Sequence, residues 1–247
     1  MPAPMARKET EMNLRIACRW LIPALMAALL QLSSGQARAD TFSFDLSVGN
    51  PAISGFAGPY EKVTVNLTNS TTANITFQSY TVAGNTYLMG DGSTVALNVN
   101  STSFSASGIS GTNSGTNFQS WSLVSTSSGQ TDGFGNFNFQ VNSFDGFAHA
   151  IDTMTLTLTN NSGTWGSASD VLTPNAGGST AASHVFVTTS PADGHNGALA
   201  TGYAGNGNNS GNVVPEPSSI ALGLVGLVGL GLTQIRRLVR RPPLAQV

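Results

Sequence analysis

Cysteine is nearly missing from this chain: among 247 residues there is one, Cys18. A disulfide framework is thereby excluded, and a domain beyond that residue must hold together by burial and hydrogen bonds. Cys18 also precedes the apolar run of the amino terminus, whereas a lipid-acceptor cysteine would follow it. Charge is scarce too, 9% of residues against about 25% in ordinary soluble domains. What charge there is has been sorted. Arg7, Lys8, Arg15, Arg19 and Arg38 lie at one end, Arg236, Arg237, Arg240 and Arg241 at the other, and Lys62 alone between them. Against Lys62 stand Glu61 and eight aspartates, so residues 40–214 carry a net −8. A domain with one basic side chain cannot neutralise a phosphate backbone, which excludes nucleic acid as a partner. Attraction to an anionic lipid surface is excluded for the same reason.

A helical stripe is also lacking between Asp40 and Val214; the one exception considered is Ala181-Ala-Ser183, which suits a single turn. What is present is period-two alternation. Thr41–Val48 puts Phe42, Phe44, Leu46 and Val48 on one face and Thr41, Ser43, Asp45 and Ser47 on the other. The pattern recurs at 62–68, 74–77, 94–99, 136–141 and 153–159, and more weakly at 86–89, 103–107, 120–125 and 184–189. Such segments bury one face and wet the other, and Gly, Asn, Asp and Pro separate them. The spacing predicts an all-β antiparallel sandwich, jelly-roll or Ig-like, over residues 40–204. The wet faces are built of Ser, Thr and Asn rather than of charge. Gly205-Asn-Gly-Asn-Asn-Ser-Gly211 then reads as part of a flexible linker over 205–213.

The ends read as addresses. Residues 1–39 join a basic region, a short apolar region from Trp20 to Leu32, and Ala37-Arg38-Ala39. That is the layout of a secretory signal peptide cleaved between Ala39 and Asp40, with Met1, Met5 and Met12 as alternative starts. At the other end, Val214-Pro215-Glu216-Pro217 leads into residues 220–235, which carry no charge. A helix there would be about 24 Å of apolar cylinder, a transmembrane span completed by snorkelling arginines. By the positive-inside bias, Arg236, Arg237, Arg240 and Arg241 hold the tail 242–247 in the cytoplasm and leave the β domain outside.

That order of motif, span and arginines, residues 214–241, resembles the PEP-CTERM sorting signal of exopolysaccharide-making Gram-negative bacteria. The resemblance implies export through the Sec translocon, removal of the leader by signal peptidase, a transient inner-membrane anchor, and processing by the membrane protease-transpeptidase exosortase. It also implies a final place at the cell surface or in the biofilm matrix. The block 135–187, with Phe144-Asp-Gly-Phe147 and Ser162-Gly-Thr-Trp165, is similar to segments of other PEP-CTERM proteins of unassigned function and brings no catalytic residues.

Within the domain, chemistry is sparsely marked. Asp-Gly at Asp91, Asp132, Asp145 and Asp193 suits tight turns, and no Asp-x-Asp-x-Asp-Gly calcium loop is present. Asp145 and Asp152, with His149, are the best place to look for calcium; no other cofactor is expected. His149, His184 and His195 lack the paired spacing of a zinc site. No Gly-x-Ser-x-Gly elbow accompanies the many serines. Glu61 is the only glutamate of the domain, so a glycosidase pair would have to come from aspartates. Trp121, Trp165, Tyr60, Tyr80, Tyr87 and Tyr203 suit either a core or a sugar-stacking platform. The expectation is therefore a non-enzymatic surface or matrix protein, structural or adhesive. A carbohydrate-binding module is the alternative, with a secreted hydrolase behind it.

Overall fold

A computed structural model describes residues 40–189, 191–207 and 212–214. The first strand is β1 (Asp40–Leu46), whose alternation places Phe44 and Leu46 in the core. After Ser47 the chain changes sheets, and β2 (Val48–Gly49) pairs elsewhere. Val48 is consequently 47% exposed, not on the buried face where the alternation put it.

The chain continues through β3 (Glu61–Asn69), β4 (Thr72–Ser79), β5 (Thr81–Val82), β6 (Asn85–Met89), β7 (Val95–Leu97) and β8 (Phe104–Thr112). It then forms β9 (Ser125–Thr131), β10 (Gly135–Asn142), β11 (Thr153–Asn160), β12 (Ala181–Thr189), β13 (Ala200–Gly205) and β14 (Asn212–Val214). Two 3-10 turns, Phe147–His149 and Ala168–Asp170, are the helical elements among the described residues. No helix there is long and apolar enough to cross a membrane. Residues 220–235, the expected span, lie outside the described residues.

The strands form two antiparallel sheets. One runs β14-β1-β3-β4-β11-β8 and the other β2-β13-β12-β7-β10-β9, with β6 beside β12 and β5 beside β6. Their inner faces share one core. Val63, Val65, Ile75, Phe77, Met154 and Leu156 of the first sheet meet Tyr87, Met89, Leu97, Phe139, Val141 and Val185 of the second. Each such burial contributes about 1.5–3 kcal/mol, enough in sum to dispense with disulfides. The expected all-β antiparallel, sandwich-like architecture is what the chain adopts.

The second sheet is also covered on its outer face, by Leu88, Phe186, Ala150 and Ala192 with Phe118 and Phe147. A further cluster joins Ala96, Phe134, Phe137 and Ala182 to Tyr203. This double burial corrects the reading of Ala181-Ala-Ser183 as a helical turn: these residues open β12, and a strand buried on both faces loses its alternation. Two further expectations change. Residues 120–124 are irregular, leaving Leu123 and Val124 exposed, and the strand there starts only at Ser125. The segment expected as a 205–213 linker has strand at both ends, Gly205 closing β13 and Asn212–Val214 forming β14; residues 208–211 lie outside the described residues.

Candidate binding surface

The first and last described strands meet at one sheet edge. β14 pairs antiparallel with β1, Thr41 opposite Val214 and Ser43 opposite Asn212. Asp40 opens β1, and one of its carboxylate oxygens accepts the backbone N–H of Ala168 at 2.9 Å. Ala37, Ala39, Pro215, Glu216, Pro217, Arg236, Arg237, Arg240 and Arg241 lie outside the described residues.

Asp145 and Asp152 do different things. Asp152 is held by the backbone N–H of Ser114 at 2.7 Å, by the Ser114 hydroxyl, and by the Thr153 hydroxyl at 2.9 Å. The carboxylate oxygens of Asp145 are buried and accept no hydrogen bond, with His149 Nδ1 3.7 Å away. That ring nitrogen bonds the Ser120 carbonyl at 2.8 Å. Among the described residues no three His, Cys, Asp or Glu side chains converge as metal ligands.

The other histidines are equally occupied or isolated. His184 Nδ1 donates to the Gly90 carbonyl at 2.9 Å and its Nε2 accepts from the Thr201 hydroxyl at 2.8 Å. Burial lowers its pKa, against opposing pulls from the Gly90 bond and the Asp91 charge. His195 is open to solvent beside Asp193, 3.9 Å away. The backbone N–H of His195 and the Asn117 amide, both donating to Asp193, lower that carboxyl's pKa. Glu61 is wholly buried, and desolvation raises its pKa to about 8 despite a hydrogen bond from Ser183. A carboxyl sealed in the core cannot reach a substrate in solution.

None of the aromatic residues considered for a sugar platform is fully exposed. Trp165, Tyr60 and Tyr87 are buried, while Trp121, Tyr80 and Tyr203 are half-buried against the core clusters. Trp165 donates its indole N–H to the Asn100 carbonyl at 2.9 Å.

A different surface stands open. On the outer face of the first sheet, register aligns Thr41, Asn66, Asn74, Thr157 and Ser107 in one row across five strands. The next row aligns Ser43, Thr64, Thr76, Thr155 and Ser110. Strand geometry sets these side chains on a grid of about 4.8 Å across and about 6.7 Å along. At the end of the grid Asp45 and Lys62 sit opposite each other in register, and Asp45 accepts the Tyr80 hydroxyl at 3.0 Å. A bulge in β8 at Gly108, φ +60°, shifts the register of the last strand pair, β11 with β8, beside a trough of about 500 Å³. Its floor holds Asn66, whose Oδ1 is buried without a hydrogen bond, while neighbouring Asn74 accepts the Thr157 hydroxyl at 2.9 Å. Sequence pattern marked these residues as wet; only the strand order shows that they form one continuous face.

No family model, curated protein or solved structure matches this chain. The chain is all-β, two antiparallel sheets in a sandwich-like arrangement with one covered and one open outer face.

Proposed function

We propose that the chain is an exported, exosortase-processed protein of the bacterial surface or exopolysaccharide matrix, structural or adhesive rather than enzymatic. The observation that carries the reading is the β1–β14 pairing, which sets the backbone at Asp40 beside the start of the Val214-Pro215-Glu216-Pro217 motif. Adjacent antiparallel strand ends suit a domain carried between a leader and a C-terminal span, since both can then leave toward one membrane. The sorting of basic residues supports the same topology, with residues 1–39 as leader, 220–235 as span and Arg236–Arg241 as the cytoplasmic stop. On this reading the partners are the Sec translocon, signal peptidase and exosortase. We class the domain with jelly-roll or Ig-like sandwiches, supported by its two antiparallel sheets and the crossing between them at Ser47.

A carbohydrate-binding role is favoured as a second reading by the open hydroxyl and amide face. The test of the first reading is Glu216→Ala with Pro215→Ala. In cells that hold an exosortase, the variant should remain in the inner membrane while the wild type reaches the surface. Equal surface display of both would overturn it.

A further inference from the structure

Asn-Gly pairs occur at Asn196-Gly197 and Asn206-Gly207, and the fold treats them in opposite ways. Asn206 is 2% exposed, and its Oδ1 accepts the backbone N–H groups of Thr180 at 2.9 Å and Ala181 at 3.2 Å. Its side-chain amide is thereby fixed against the start of β12. Asn196 is exposed in the connection between β12 and β13, and its side chain makes no hydrogen bond among the described residues. The backbone N–H of Gly197 likewise has no acceptor there, and apart from its chain neighbours no atom lies within 4 Å of where a Gly197 Cβ would stand. Gly197 holds φ +71°, which glycine adopts freely, and it has no side chain to obstruct an approach to its nitrogen. Neighbouring Asp193-Gly194 lacks that freedom. Gly194 donates its N–H to the Thr116 carbonyl at 2.9 Å, and Asp193 Oδ1 accepts from the Asn117 amide and the His195 N–H.

We propose that Asn196 is a self-modifying site, converted through a cyclic imide to aspartate and isoaspartate by attack of the Gly197 nitrogen. That nitrogen loses its proton and bonds Asn196 Cγ, and the side-chain nitrogen departs with a proton as ammonia. Water then opens the imide. Breaking the new bond at Cγ leaves aspartate, whereas breaking the original peptide bond leaves isoaspartate, with the main chain now running through the side-chain carbonyl. Either product adds a negative charge to a domain already at a net −8. The reaction consumes water alone and calls on no enzyme, metal or partner, so it stands independently of the sorting reading. Asn206, of the same dipeptide, is protected by its burial and its two backbone donors.

The experiment is incubation of the full chain, purified in detergent, at mildly alkaline pH, with peptide mapping by mass spectrometry and isoaspartyl methyltransferase labelling at intervals. Circular dichroism checks that the chain stays folded throughout. Asn196 should convert at least about tenfold faster than Asn206, because Asn206 must first break two hydrogen bonds. In denaturant the fold no longer separates the two pairs, and their rates should become comparable. Conversion at Asn196 should slow at mildly acidic pH, since the attacking nitrogen must give up its proton. Asn196→Gln should remove the fast conversion and leave the rate at Asn206 unchanged. Equal rates at both pairs in the folded chain, faster conversion at Asn206, or an Asn196 that stays intact in the folded chain while the denatured chain converts would each overturn the proposal.

Discussion

Ser183 on β12 donates its hydroxyl to Glu61 on β3 at 2.7 Å, joining the two sheets through the middle of the core. The second carboxyl oxygen of Glu61 is buried and has no partner. Desolvation dominates, raising the pKa to about 8, so at neutral pH the group is a carboxylic acid. A folded-state pKa above the unfolded one means the native state holds an extra proton between the two values. Its contribution to stability is therefore complete below pH about 4.5 and is lost as pH rises through about 8.

Glu61→Gln removes the ionisation and keeps the shape and an acceptor for Ser183. In thermal melts from pH 5 to pH 9, the wild type should lose stability with a slope approaching 1.4 kcal/mol per pH unit between those pKa values. The variant should lose clearly less over the same range. Parallel curves for the two proteins would contradict the assignment.

His184 acts in the opposite sense. Its ring lies between Phe186 and Tyr203, at centroid distances of 5.0 and 4.7 Å, and burial lowers its pKa below the ordinary 6.5. The stability tied to the neutral ring is present above the unfolded pKa and falls away as pH drops through the folded value. Nuclear magnetic resonance titration should give His184 a midpoint below the ordinary 6.5; a midpoint above 6.5 would count against the burial argument.

How much of this was legible in the sequence depended on burial being one-sided. β3, β4 and β11 have one core face and one wet face, and their alternation places Val63, Val65, Ile75, Phe77, Met154 and Leu156 correctly. β12 is buried on both faces and its first residues read as a turn, while β9, Ser-Thr-Ser-Ser-Gly-Gln-Thr, has no apolar residue to alternate and left no signal. Trp121-Ser-Leu-Val124 had the signal without the strand, since Leu123 and Val124 stay exposed. The open face was half-legible for a related reason: pattern shows which side chains are wet, but strand order decides which wet side chains are neighbours.

Calcium at Asp145 and Asp152 is open to direct measurement. Asp152 is spent on Ser114 and Thr153, leaving Asp145 with His149 rather than with a second carboxylate. A lone carboxylate is a poor site for a cation that takes six to eight oxygens. Melting temperature should therefore be the same in millimolar calcium and in chelator. Asp145→Asn should change stability by no more than about 1 kcal/mol, since neither carboxyl oxygen of Asp145 accepts a hydrogen bond. A calcium-dependent rise in melting temperature that Asp145→Asn abolishes would restore the metal site.

We propose that two removable ends deliver the β domain and that both leave it at one sheet edge. Intact-mass measurement of the surface-exposed protein tests this most directly. The account predicts a chain that starts at Asp40, has lost Arg236–Arg241, and ends beyond Val214, whether free or joined to another group. A surface form that keeps the arginine cluster, or retains residues 1–39, would contradict it.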